Sequence, residues 1–103
     1  MVRLIALFDQ PADPDAFDAH YRDVHAPLVR RYPGLRDLRL FRPIAVGRAP
    51  GPFLFAEMLF DTRADLDAAL ASEPGVESGR DLRTFASAGV TLLIADEDAT
   101  FDA

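Results

Sequence analysis

Tyr21 and His25 stand four residues apart, a spacing that brings two side chains to neighbouring points on one helix face. Near neutral pH an imidazole can take or give a proton. A phenol beside it can donate a hydrogen bond to an oxygen that is gaining negative charge. The chemistry open to this pair is acid–base catalysis, with His25 as general acid or base and Tyr21 orienting the substrate. The plainer alternative is a partly exposed helix histidine that satisfies backbone groups freed by Pro27. Glu57 is the third candidate, because it lies inside an apolar run and an unpaired buried carboxylate costs several kcal/mol. It reads either as a general base or polar anchor, or as an ion-pair partner of Arg3 or Arg39. His20 reads as a boundary histidine. Five residues apart on a regular helix, His20 and His25 diverge by about 140°. With no cysteine and no H-x-x-x-H pair to assist, no protein-built metal site is expected. Gly47 and Gly51 belong to no phosphate-binding motif, so no nucleotide cofactor is expected either.

The elements that must position these residues follow from patterning. Val2 to Phe8 is an apolar run broken only by Arg3, short enough to be a buried strand. Asp13 can cap a helix that has Pro14 at its first position and Asp15 in its first turn. Phe17, Tyr21, Val24 and Leu28 then form an inward stripe spaced 4, 3 and 4, with His20 on one edge and His25 on the other. Pro27 removes the hydrogen bond to the Asp23 carbonyl, so a bend is expected there, with the helix ending near Arg31. Leu35 to Arg42 alternates like a half-exposed strand, Pro43 to Pro52 is a loop, and Phe53 to Phe60 is a second apolar strand. Asp61 or Thr62 caps a helix with Leu66, Ala69 and Leu70 facing inward. Glu73-Pro74-Gly75 breaks that helix and a short helical turn over Val76 to Phe85 follows. Gly89 to Asp96 is the last strand, and residues 96–103 are a polar tail.

Strand, helix, strand, strand, helix, strand is the split βαβ order of a ferredoxin-like α+β domain, a four-stranded antiparallel sheet with two helices on one face. The 103 residues make one such domain. Phe53, Phe55 and Leu59 point one way from their strand, while Leu54, Ala56, Met58 and Phe60 point the other. Helices cover one face, and the second needs a cover that the chain does not supply. A second copy packed sheet against sheet is the expected partner, enclosing a cavity for a small apolar or aromatic molecule. Phe17, Phe53, Phe55 and Met58 are its candidate lining.

A net charge of −6, with eleven Arg and no Lys, gives no pull toward nucleic acid. No apolar run reaches the roughly 20 residues that span a bilayer, and the first eight residues lack the flanks of a secretion signal. A cytoplasmic location is expected.

Phe17 to Leu28, read with Tyr32-Pro33-Gly34-Leu35, resembles the Y-x-x-x-H-x-P-L…P-G-L signature of the EthD family, named for a protein needed to break down ethyl tert-butyl ether. Ala56-Glu57-Met58-Leu59-Phe60-Asp61-Thr62 resembles that family's A-E-[ML]-x-F-D-[ST] strand end, and Asp81 to Phe85 its D-x-x-x-F segment. The resemblance covers nearly the whole chain and implies a dimeric α+β barrel. It also implies a place among proteins loosely labelled oxidoreductases, whose wider superfamily holds cofactor-free monooxygenases, cyclases and haem-handling enzymes. The leading expectation is therefore a small-molecule site, and if it is catalytic, acid–base chemistry in an oxidoreductase or lyase/cyclase. A non-enzymatic carrier serving a catabolic oxygenase is one rival. A haem-binding barrel using His25 or His20 as axial ligand is the other.

Overall fold

The computed structural model describes residues 1–103. Its elements are β1 (Val2–Phe8), α1 (Pro14–His20), a π-helical turn (Tyr21–His25), α2 (Ala26–Arg30), β2 (Asp37–Phe41), β3 (Leu54–Phe60), α3 (Arg63–Ala71), α4 (Glu73–Phe85) and β4 (Val90–Asp96). The strands form one antiparallel sheet in the order β2-β3-β1-β4, with β1 central between β3 and β4. This is the ferredoxin-like arrangement that the element order implies. No helix is long and apolar enough to cross a membrane.

Local chemistry sets the element ends. Asp13 accepts a hydrogen bond from the Ala16 amide at 3.1 Å, with Pro14 opening α1, and Thr62 accepts from the Asp65 amide at the start of α3. The second crossover departs from expectation. Glu73-Pro74-Gly75 is the first turn of α4, a helix of 13 residues where a short turn was expected. Ser72 caps it by accepting from the Gly75 amide, and Pro74 fits because a first-turn amide needs no intrahelical partner. Two helices thus fill that crossover, packed so tightly that a Cβ on Gly75 would lie 2.1 Å from the Ala69 carbonyl oxygen.

Val2, Leu4, Ala6 and Phe8 of β1 meet Leu54, Ala56, Met58 and Phe60 of β3 in register, and all eight are buried beneath the helices. Phe8, Phe60, Leu66 and Val29 are the largest side chains wholly withdrawn from water, each stabilising the fold by about 1.5–3 kcal/mol. The helices stop short of the β4 edge. Leu92 and Ile94, on the covered side by register, remain 51% and 42% exposed.

Candidate functional site

The helix that carries the sequence motif is not regular. At Tyr21–His25 it widens into a π turn, in which the Ala26 amide donates to the Tyr21 carbonyl, five residues back. Pro27 gives the physical reason: a proline within a helix crowds the carbonyl four residues before it, and a wider turn relieves that contact. The extra residue rotates everything beyond it. Val24 and Leu28, expected inward, are exposed and half-buried, while His25, Ala26 and Val29 take the inward positions. Leu70, also expected inward, is 38% exposed.

The same turn cancels the expected divergence of the two histidines, because residues five apart come nearly into line around a π turn. His20 and His25 both reach one carboxylate, Asp81 of α4. His25 Nδ1 lies 2.9 Å from Asp81 Oδ2, and His20 Nε2 lies 2.8 Å from Oδ1. Burial alone would raise the Asp81 pKa, but the hydrogen bonds from His20 and His25 outweigh it and hold the carboxyl below its usual range. An ionised carboxylate only accepts, so each facing ring nitrogen carries a proton and His25 Nε2 keeps the free lone pair. Burial pulls the His25 pKa down against the opposing pull of Asp81, and the net shift is downward, so the ring is neutral near pH 7. Phe85, one turn beyond Asp81, packs on both rings, at 4.6 Å from His20 and 4.9 Å from His25 between centroids. The reading of His25 as partly exposed and tied to the helix backbone is corrected: it is buried and its ring nitrogen is held by Asp81.

His25 lines a hollow of about 90 Å³ between the helices and the sheet, together with Tyr21, Met58, Gly79, Leu82 and Leu92. The walls are largely apolar, and the side toward β4 is open at Leu70 and Leu92. Sites that enclose drug-sized ligands run to roughly 300–1,000 Å³, so this hollow has room for no more than the end of such a molecule and does not fit a porphyrin. Tyr21 also lines a wider surface groove of about 620 Å³ beside Arg22, Arg30 and Arg42. Burial raises the Tyr21 pKa, nearby Tyr32 adds to this and Arg30 opposes it, and the net result keeps the phenol protonated well above pH 10.

Of the seven residues singled out in the sequence, His25, Tyr21 and Met58 converge on this hollow. Phe17 and Phe53 pack on one another at 5.3 Å and do not line it. By strand register Phe55 and Glu57 point to the other side of the sheet, so the expected cluster divides in two. Glu57 lies there between Arg3 at 3.3 Å and Arg39 at 3.8 Å, the ion-pair alternative that its sequence context raised. Sequence reasoning missed Asp81 as a partner of His25. Its one signal was the D-x-x-x-F segment, whose one-turn spacing matches a carboxylate and a ring meeting the same two imidazoles.

A family model for the EthD domain matches residues 9–89. The chain is 35% identical over 99 residues to an uncharacterised 11.0 kDa protein of the thcB–thcC intergenic region of Rhodococcus erythropolis, covering 95% of this chain and 96% of that one. The crystal structure of an ethyl tert-butyl ether degradation (EthD) family protein from Bacillus halodurans matches with a TM-score of 0.87 at 42% identity, over 94% of this chain and 98% of that one. SnoaB, a cofactor-independent oxygenase from Streptomyces nogalater, matches with a TM-score of 0.69 at 18% identity, over 99% and 97% of the two chains, a likeness of fold alone.

Proposed function

The chain belongs to the EthD family, and from that footing we propose that it admits the end of a small apolar or aromatic molecule to the hollow and acts on it by proton transfer at His25. The observation that carries this reading is a buried, neutral imidazole whose Nδ1 is fixed by Asp81, set in an apolar hollow. A base is most useful when its pKa lies near or just below the working pH and its tautomer is set in advance. Tyr21, held in its protonated form, can donate to an oxygen of the ligand as that oxygen gains charge. The reaction class that fits is removal of an acidic C–H proton beside the carbonyl of a ketone, or of the keto tautomer of a phenol. That is the opening step of a cofactor-independent oxidation and of a lyase or cyclase reaction alike.

Deuterium uptake from D₂O into small aryl ketones tests this reading. The native chain should promote exchange, and His25→Gln should lower the rate about 100-fold or more, as expected for loss of a general base. Equal rates in the two proteins would overturn the assignment. Tight binding with no exchange would mark the chain as a carrier.

The working unit of this reading is a homodimer. Ile5, Leu7, Phe41, Phe55 and Leu93 share the sheet face away from the helices, where Phe41 and Leu93 are 51% and 48% exposed. Apolar ground of that extent calls for a partner, and a second copy across a two-fold axis offers a matching surface of about 800 Å² per subunit. Sedimentation at micromolar concentration should show two copies, and a stable single subunit would remove the dimer.

A further inference from the structure

We propose that His20, Asp81 and His25 form a proton relay joining the buried hollow to solvent, with His20 as its outer terminal. The relay extends the proton-transfer reading above, but its geometry stands by itself. His25 and Asp81 have side chains only 6% and 12% exposed, whereas that of His20 is 31% exposed and borders a surface groove between the start of α1 and the end of α4. Two hydrogen bonds of 2.9 and 2.8 Å connect the three groups without a break. Phe85 lies against both rings and shields the intervening stretch from water. The only other side chain on the Asp81 carboxylate is Thr84, whose hydroxyl lies 3.3 Å from Oδ1 and donates more closely to the Asp81 carbonyl, at 2.7 Å. His20 Nδ1 makes no hydrogen bond to the protein, and the side chain that carries it is 31% exposed.

A buried base that has taken a proton must lose it before it can act again. In the outward direction a ligand proton arrives on His25 Nε2 and the Nδ1 proton passes to Asp81 Oδ2. The carboxyl then rotates so that the protonated Oδ2 takes the place of Oδ1 and faces His20. His20, once its exposed ring has exchanged the Nε2 proton for one on Nδ1 through solvent, accepts at Nε2 and releases its Nδ1 proton to water. Each step moves one proton, and the last returns His20 to its resting tautomer. His25, left protonated on Nε2, is reset when it gives that proton to the product and takes one back at Nδ1 by the reverse passage. The π turn is what makes this possible, since on a regular helix His20 and His25 would face apart by about 140°.

Exchange of the His25 ring Nδ1 proton with water, followed by NMR on ¹⁵N-labelled protein, reads the relay without any turnover. His20→Gln is the informative variant, because its amide N–H can still donate to Asp81 yet cannot carry a proton through. Exchange should slow at least 10-fold in His20→Gln and recover on adding free imidazole, while backbone amide protection across Tyr21–Val29 stays as in the native chain. An unchanged ring exchange rate would mean that His25 reaches water through the mouth at Leu70 and Leu92, and would overturn the relay. Slow exchange in His20→Gln from a protein that promotes no C–H exchange would keep the relay and remove the catalytic reading.

Discussion

Asp81 and Glu57 are carboxylates of similar burial, 12% and 15% exposed, each held between two nitrogen-bearing side chains on opposite sides of the sheet. Burial does not distinguish them, so their partners must. Glu57 faces two guanidinium groups, a kind of side chain that does not give up its proton in proteins, and these two, Arg3 and Arg39, have second carboxylates of their own in Glu97 and Asp37. Asp81 faces two imidazoles, a kind of side chain that can both take and give a proton, and the more buried of the two borders the hollow. One arrangement fixes charge in place, and the other can hold and move a proton. A buried carboxylate in a sequence therefore says little about function until the titration range of its neighbours is known.

The largest expected effect separates the two directly. Asp81→Ala leaves the buried His25 Nδ1–H without an acceptor and should destabilise the fold by about 3 kcal/mol. Glu57→Ala leaves Arg3 and Arg39 with Glu97 and Asp37 and should cost under about 1 kcal/mol. Urea unfolding of both variants at one protein concentration measures the difference. Equal losses would erase the distinction between the two clusters.

Acid should act through the same cluster. The folded His25 pKa lies below its ordinary value near 6.5, so between those two values the unfolded chain binds a proton that the native chain refuses. Stability should be fully present above about pH 6.5 and fall as pH drops toward the folded His25 pKa. The Asp81 contribution persists to lower pH, because its folded pKa is depressed below the ordinary carboxylate value. Thermal unfolding across this range should show the slope in native protein and in Glu57→Ala, and a flatter curve in His25→Gln. A slope that survives His25→Gln would place its origin elsewhere.

The strands were readable because burial on one or both faces writes itself into short apolar runs, and Val2–Phe8 begins and ends where its pattern does. Asp13 was readable as a cap, and Thr62 as one of two candidates with Asp61, because capping depends on three or four consecutive residues. The π turn left no such mark. Phe17, Tyr21, Val24 and Leu28 suit a regular helix as well as any stripe does, and only Pro27 hints that the phase shifts after Tyr21. The Asp81 clamp lies further from view, since it joins residues 61 and 56 apart along the chain. His25 and Tyr21 could be named from local spacing, whereas the burial of His25 and the fixing of its Nδ1 are set by contacts across the fold.

The smallest effect tests whether the hollow side of the sheet is shaped for a ligand. Gly79 sits within α4 and lines the hollow, and a Cβ there would meet no atom within 4 Å. Glycine inside a helix is about 0.8–1.0 kcal/mol worse than alanine, and here no steric neighbour demands it. Gly79→Ala should therefore stabilise the ligand-free protein by up to about 1 kcal/mol while its methyl group takes space from the hollow. Aryl ketone binding and exchange should weaken, with self-association through the Glu57 face unchanged. If Gly79→Ala gains stability and binds as the native chain does, the space beside Gly79 is not where the ligand goes. The reacting end would then have to approach His25 from the groove side of Tyr21.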